Sequence, residues 1–131
     1  LIRKAFSGNK LSVWGDGSAI RDFIHARDVA EGMIFAVENK ITQPMNLGSG
    51  EGVTIKKVTE IVAEIAGVEV EWDATKPSGD ARRVFDMTRA NGFGFFPKIS
   101  IEDGIRETVS WYLENKNFAD AGLDSFKSMK N

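Results

Sequence analysis

The 131-residue chain contains no cysteine, and this absence excludes more chemistry than any other feature of its composition. Without a thiol there is no disulfide, no thiolate metal site and no cysteine nucleophile, and the composition fits a cytoplasmic protein. The chain also has a single histidine, His25, so a metal site would depend on carboxylates alone, and no spacing in the sequence arranges them for one. We therefore expect no bound metal and interpret His25 as a hydrogen-bonded structural group.

Long hydrophobic runs and an excess of positive charge are missing as well. No apolar stretch approaches 18 residues, the length that would predict a membrane-spanning helix. The 17 basic residues are balanced by 19 acidic ones, and the net charge of -2 gives no basic field that would attract nucleic acid. Apolar residues make up 42% and charged residues 27%, which is typical of a soluble globular domain. We expect one domain with a single core, and neither nucleic acid nor a membrane as a partner.

The first residues, "LIRKAF", are apolar at helical spacing and have no capping residue in front of them. We interpret this start as a chain that is cut inside or just before a helix. The alternative is a natural short protein whose initiator Met is not recorded.

The rest of the chain alternates between extended and helical patterns, which predicts an α/β or α+β class. "KLSVWGDGSAIRDFIH" predicts two strands joined in a hairpin at Asp16-Gly17, a dipeptide that tolerates the positive φ angles of tight turns. Three amphipathic helices follow, with predicted caps at Asp28, Thr54 and Ser100. Gly67 should end the second helix. The first helix should bury one apolar face, formed by Val29, Ala30, Met33, Ile34 and Val37.

Three shorter segments, "MNL", "VEVEW" and "VFDM", are interpreted as further strands. Residues 118–131 are polar and weakly periodic, so we expect them to form a tail with frayed structure. Nothing in the sequence predicts a second domain.

The glycine-rich segment "GSGEG" imitates a phosphate-binding loop. It follows a predicted strand, opens a predicted helix, and has Glu71 about 20 residues later, where a dinucleotide-binding unit places its ribose-binding acid. However, Gly48, Gly50 and Gly52 give G-x-G-x-G instead of G-x-G-x-x-G, and Glu51 would direct a negative charge at the phosphates. We interpret the segment as a strand-to-helix turn.

The arginines are the more informative residues. Arg21 stands in an otherwise apolar run, and Arg82 and Arg83 follow a Pro-Ser-Gly turn. A guanidinium group binds phosphate with two parallel hydrogen bonds, so two of them converging from separate segments would clamp a diphosphate. The alternative is that Arg21 pairs with a nearby acid, Asp22 or Asp28, and that the later arginines are solvated. Spacing alone leaves both interpretations open.

Several segments, in order, resemble the C-terminal part of the extended short-chain dehydrogenases/reductases, the NAD-dependent epimerase/dehydratase family. These are "RDFIHARDVAEG", "MNLGSGEGVTIKKV", "KPSGDARRVFDMTRA" and "ISIEDGIRETVSWYLEN", and the resemblance covers residues 1–117. Such enzymes remodel nucleotide-linked sugars. The resemblance implies an α/β fold: the C-terminal, substrate-binding part of a Rossmann-type enzyme without its N-terminal dinucleotide-binding half. "VWGDGSAIRDFIH" and "KPSGDARRVFD" are most similar to the branch that epimerises and reduces GDP-linked sugars.

In this family, the Arg of the "RDFIH" segment and a basic residue of the later loop grip the diphosphate of the substrate. Carried over, these are Arg21 and Arg83. Trp14 matches a substrate-contacting Trp of the GDP-sugar branch, and Arg82 and Lys76 are further candidates for substrate binding. The implied partner is a nucleotide-diphosphate sugar, with GDP as the nucleotide.

The resemblance also implies what this sequence leaves to other parts of a parent enzyme. The family's Gly-rich fingerprint, catalytic Ser and Tyr-x-x-x-Lys pair are not found in these residues. We therefore expect NADP (or NAD) to bind only in the parent enzyme, and we expect this chain alone to have no catalytic residue, no activity and a tendency to self-associate. The alternative is a stand-alone remnant: a non-catalytic nucleotide-diphosphate-binding or interaction module.

Overall fold

Strands and helices alternate along residues 1–77 and 79–121, which are the residues that the computed structural model describes. The elements are α1 (Ile2–Ala5), β1 (Lys10–Trp14), β2 (Ile20–Asp22), α2 (Ala26–Glu38), β3 (Gly52–Thr54), α3 (Ile55–Ala66), β4 (Glu69–Asp73), β5 (Arg82–Arg83), α4 (Thr88–Phe93) and α5 (Ile101–Glu114). The sequence analysis did not predict α4. Of the predicted tail, 118–121 are helical and 122–131 lie outside the described residues. No helix in the described part of the chain is long and apolar enough to cross a membrane.

The strands form two small sheets instead of the predicted hairpin. β1 pairs with β4 in parallel, whereas β2 lies between β3, which is antiparallel to it, and β5, which is parallel. Both predicted strands exist, but the hairpin is wrong because β1 and β2 belong to different sheets and do not pair with each other. Gly15 and Gly17 do have positive φ angles, and the Asp16 carboxylate accepts hydrogen bonds from the backbone N–H and hydroxyl of Ser18. The turn is local and directs the chain from one sheet into the other.

The caps predicted for the second and third helices are confirmed. Thr54 Oγ1 accepts a hydrogen bond from the Lys57 N–H at 3.1 Å, and Gly67 ends α3 in the left-handed conformation with φ of 67°. Ser100 Oγ accepts from the Asp103 N–H, also at 3.1 Å, at the start of α5. Local chemistry therefore sets where these two helices begin.

The main core lies between α1, β1, α3 and α5. It is built from apolar side chains that are almost inaccessible to solvent: Ala5, Leu11, Val13, Val58, Ile61, Val62, Ala63, Ile105 and Val109. A second, smaller cluster, Met87, Ala90 and Phe95, packs α4 and its flanking residues against Phe35 of α2 and against Met45 and Leu47. The two clusters leave β2 and β5 near the surface.

The start predicted for α2 is wrong. The cap is His25, whose Nδ1 accepts a hydrogen bond from the Arg27 N–H at 3.3 Å, and this confirms the interpretation of His25 as a structural group. Asp28 lies inside the helix and is only 2% exposed, because its carboxylate accepts the N–H groups of Lys98 at 3.2 Å and Ile99 at 3.0 Å. Asp28 therefore joins α2 to the segment that precedes α5.

The apolar face predicted for α2 is not buried. Met33, Ile34 and Val37 are 56%, 58% and 78% exposed. The helix packs instead through Gly32, where an added Cβ atom would lie 2.6 Å from Leu47. Helical periodicity identified an apolar stripe correctly, but the described residues do not cover it.

Two of the short strands predicted from the sequence are also wrong. Residues 45–47, "MNL", form no strand in the described chain, and β5 occupies Arg82–Arg83 instead of "VFDM". The third, "VEVEW", is confirmed as β4. A strand exists only where a neighbour pairs with it, and a short apolar run does not specify that neighbour.

Candidate functional site

The pairing of β2 with β5 sets two arginines side by side. In this parallel ladder, Ile20 is opposite Arg82 and Arg21 is opposite Arg83. Directly paired residues project to the same face of a sheet, and successive residues project to opposite faces. Arg21 and Arg83 therefore share one face, and Arg82 lies on the other with Ile20.

Asp80 contacts both members of this arginine pair. The guanidinium of Arg21 donates to the backbone carbonyls of Ile20 and Asp80, each at 2.7 Å. The guanidinium of Arg83 forms an ion pair with the Asp80 carboxylate, in which the two side chains are 73% and 61% exposed. Arg83 is thus open to solvent, Arg21 is partly buried, and an anionic group already lies next to the pair.

The interpretation that Arg21 pairs with Asp22 or Asp28 is wrong, because both carboxylates accept hydrogen bonds from other groups. Asp22 Oδ1 accepts from the backbone N–H and the hydroxyl of Ser49, both at 2.7 Å. Its Oδ2 accepts from the N–H groups of Gly50 at 3.0 Å and Phe85 at 3.2 Å. Burial raises the pKa of Asp22, but these hydrogen bonds outweigh burial and hold the pKa below its usual value.

The glycine-rich segment is therefore an internal structural turn. The backbone N–H groups of Ser49 and Gly50 donate hydrogen bonds to the carboxylate of Asp22. A phosphate bound in this turn would need these same groups as donors. Gly52 has a different role, because an added Cβ atom there would lie 2.8 Å from Arg82 Nη1 and 2.7 Å from Ile20 Cγ2. Glycine at this position leaves room for the Arg82 side chain on the face opposite the arginine pair.

Trp14 and Lys76 lie at a different place from the arginines, the carboxyl end of the sheet formed by β1 and β4. Trp14 is the last residue of β1, is opposite Asp73 of β4, and is 63% exposed. The backbone carbonyl of Asp73 accepts from the N–H groups of Gly15 at 2.8 Å and Lys76 at 3.2 Å. The chain continues from Lys76 to Asp80 and β5, so Lys76 lies close to the arginine pair in the sequence, whereas Trp14 lies on the neighbouring strand β1.

Sequence reasoning missed two residues of this region, Asp22 and Asp80. Asp22 was considered only as a partner of Arg21. It lies at the end of a strand, and a carboxylate there can accept backbone N–H groups from a turn such as the glycine-rich segment. Asp80 lies between Gly79 and β5. It contacts both arginines because the register of β5 places Arg83 opposite Arg21, and the sequence does not reveal that register.

The chain is similar to known proteins both in sequence and in fold. The NAD dependent epimerase/dehydratase family matches residues 1–48. GDP-L-fucose synthase 1 of Arabidopsis thaliana is 37% identical over 115 residues, which are 86% of this chain and 36% of that protein. The chain therefore resembles the NAD-dependent epimerase/dehydratase family, by the family model over residues 1–48 and by similarity to a GDP-L-fucose synthase over 86% of its length. The family predicted from the ordered sequence segments is therefore confirmed.

Two solved structures of reductases named for GDP-linked sugars have a similar fold. A GDP-6-OMe-4-keto-L-xylo-heptose reductase from Campylobacter jejuni matches with a TM-score of 0.74 at 26% identity, over 86% of this chain and 36% of that one. The NADP-bound GDP-mannoheptose C4 reductase of the same organism matches with a TM-score of 0.66 at 28% identity, over 84% and 34%. These matches confirm the α/β, Rossmann-type class. The chain spans about a third of the length of the relatives it matches.

Proposed function

We propose that this chain is the substrate-binding part of a nucleotide-sugar epimerase/reductase of the GDP-L-fucose synthase type, in which Arg21 and Arg83 hold the diphosphate of the substrate. The observation that carries the proposal is the β2–β5 register, which sets these two side chains on one face. The similarity to a GDP-L-fucose synthase and to two reductases named for GDP-linked sugars supports the substrate class.

The spacing of the two arginines suits a diphosphate. Neighbouring strands lie about 4.8 Å apart, so two guanidinium groups on adjacent strands can each bind one phosphate of a pair. Each charge-assisted contact contributes about 1.5–3 kcal/mol. The Asp80 carboxylate competes for Arg83, but an exposed ion pair is worth only about 0–1 kcal/mol, so a diphosphate displaces it readily.

Trp14 and Lys76 extend the proposed site towards the rest of the substrate. The exposed indole of Trp14 offers a flat apolar surface, and Lys76 adds a positive charge at the same end of the β1–β4 sheet. We propose that Trp14 contacts the nucleotide sugar beyond the diphosphate. Arg82 is left out of this site, because it packs over Gly52 on the opposite face.

The glycine-rich turn does not fit the pyrophosphate of a dinucleotide cofactor. The glycine-rich turn directs the N–H groups of Ser49 and Gly50 to the carboxylate of Asp22, which leaves them no hydrogen to donate to a pyrophosphate. We therefore assign NADP, and the acid/base chemistry of the reaction, to parts of the parent enzyme outside this sequence. This assignment is in line with a solved NADP-bound reductase of which this chain covers only 34%.

A comparison of Arg83→Ala with Arg82→Ala tests the proposal, because the two residues are adjacent but lie on opposite faces. We would titrate the full-length protein that carries this sequence with GDP and with guanosine by isothermal titration calorimetry. Arg21→Ala and Arg83→Ala should each weaken GDP binding by about tenfold to a hundredfold, whereas Arg82→Ala and the control Lys10→Ala should change it less than twofold.

Two further results complete the test. The effects of Arg21→Ala and Arg83→Ala should not add up in the double variant, because both arginines hold one diphosphate. Guanosine, which has no phosphate, should bind far more weakly than GDP. If Arg82→Ala weakened GDP binding as much as Arg83→Ala, or if guanosine bound as tightly as GDP, the proposal would be overturned.

A further inference from the structure

We propose that Asp22 is a positioning residue for the arginine pair: it fastens β5 against β2 and so keeps Arg83 beside Arg21. This inference rests on the proposed function, since it explains how the diphosphate site is assembled. Asp22 touches neither the proposed ligand nor a guanidinium group, and its effect on binding would pass through the backbone.

β5 needs such a fastening because it is short. It consists of two residues, Arg82 and Arg83, paired with β2 at the edge of the sheet. The backbone bond from the Ile20 N–H to the Ala81 carbonyl, at 2.9 Å, extends the pairing by one residue only. A two-residue edge strand has few ladder hydrogen bonds, and slipping by one residue would exchange the faces of Arg82 and Arg83.

The hydrogen bonds of two neighbouring residues on β2 bracket β5 at both ends. Before β5, the guanidinium of Arg21 binds the carbonyl of Asp80 at 2.7 Å. After β5, the carboxylate of Asp22 binds the N–H of Phe85 at 3.2 Å, two residues beyond Arg83. The register of β5 is therefore fixed from both sides by side chains of β2.

The glycine-rich turn also holds the carboxylate of Asp22. Its remaining bonds go to the backbone and hydroxyl of Ser49 and to the N–H of Gly50, which are part of the glycine-rich turn. The packing there is close, since an added Cβ atom at Gly48 would lie 2.9 Å from Asp22 Oδ2 and 2.8 Å from the ring of Phe85. The turn that imitates a phosphate loop thus serves as the support of the Asp22 carboxylate.

The chain offers a matched control for the test, Asp28. Its carboxylate also accepts backbone N–H groups, two of them, and is more deeply buried than that of Asp22, but it joins α2 to the segment before α5 and does not contact β5. Asp22→Asn and Asp28→Asn each keep the size of the side chain and remove its charge. Both should lower the midpoint of thermal unfolding of the full-length protein. Only Asp22→Asn should weaken GDP binding, by about tenfold, with Asp28→Asn within twofold of the unmodified protein.

Hydrogen exchange gives a readout that does not depend on binding. In Asp22→Asn, the backbone amides of Ile20 and Phe85 should exchange at least about tenfold faster, whereas those of Lys98 and Ile99 should be unchanged. A binding cycle gives a second readout: added to a variant that already lacks both Arg21 and Arg83 side chains, Asp22→Asn should cause no further loss of GDP affinity, because its effect passes through them.

The possible results separate this inference from the proposed function. If Arg21→Ala weakens GDP binding and Asp22→Asn does not, Asp22 is not a positioning residue, and the proposed function still stands. If Arg21→Ala and Arg83→Ala leave GDP binding intact, the proposed function fails, and unchanged exchange at Ile20 and Phe85 would then also overturn the fastening of β5. If Asp28→Asn weakens binding as much as Asp22→Asn, the effect is a general loss of stability and the inference is overturned.

Discussion

Replacing Thr59 by valine should stabilise the protein. Thr59 lies on α3, has no solvent-exposed surface, and directly follows the core residue Val58 in the sequence. Its Oγ1 is the one buried side-chain nitrogen or oxygen without a hydrogen-bond partner among residues 1–77 and 79–121. Valine has almost the same shape, so Thr59→Val removes the unpaired hydroxyl and leaves the packing as it is.

The size of the effect follows from the burial of the hydroxyl. A buried polar group without a hydrogen bond costs about 1–3 kcal/mol relative to water. We take the lower end, about 1 kcal/mol, because the measured effect of such replacements includes small adjustments of the surrounding side chains. For a chain of this length, 1 kcal/mol corresponds to a rise in the midpoint of thermal unfolding of roughly 3–4 °C.

Thermal and urea unfolding followed by circular dichroism would measure the change, with Thr59→Ser as the control. Serine keeps the hydroxyl and loses the methyl group, so this variant should be less stable than the unmodified protein by about 1 kcal/mol. A lower midpoint for Thr59→Val would refute the reasoning. It would mean that the hydroxyl has a partner, such as the carbonyl one turn earlier in the helix.

Two more predictions concern the charges around the arginine pair. Asp80→Ala removes the carboxylate that competes for Arg83 but keeps the carbonyl that binds Arg21, so calorimetry should show GDP binding tightened by about two- to fivefold; unchanged or weaker binding would contradict it. Hydrogen bonds hold the pKa of Asp22 below its usual value despite burial. The stability that these hydrogen bonds provide is therefore fully present above the unfolded-state pKa of about 3.9, and it is lost as the pH falls through the lower pKa of the folded state. In urea titrations, the difference in stability between the unmodified protein and Asp22→Asn should accordingly be constant above about pH 5 and shrink below about pH 4; a difference that does not vary with pH would argue against the fastening role of the carboxylate.

Local signals in the sequence located α3 and α5 because the chemistry that starts them is local. Thr54 and Ser100 each accept the N–H three residues ahead, and Gly67 adopts the left-handed conformation that ends a helix. These contacts span three or four residues, so a pattern in the sequence contains all their participants. The start of α2 was misplaced because Asp28, a good cap by type, binds the N–H groups of Lys98 and Ile99 instead.

The candidate site was predictable as a set of residues but not as an arrangement. Family resemblance indicated Arg21 and Arg83, with Arg82 as a further candidate, but the residues themselves do not show which of the two adjacent arginines shares a face with Arg21. That depends on the register of β5, which is fixed by hydrogen bonds from Arg21 and Asp22 to residues far away in the chain. The hairpin failed for a similar reason, since the partner of β1 is β4 and a tight turn does not reveal a distant strand.

Both parallel ladders of the fold have a consequence for the order in which the protein folds. β1 pairs with β4, and β2 pairs with β5, and about 60 residues of chain separate the two strands in each case. Forming either ladder therefore closes a long loop, which costs conformational entropy. α3, whose contacts are mostly local, has no such requirement and can form early. The face that carries Arg21 and Arg83 is therefore expected to be completed in the last stage of folding, and in a refolding experiment the recovery of GDP binding should lag behind the recovery of helical circular dichroism.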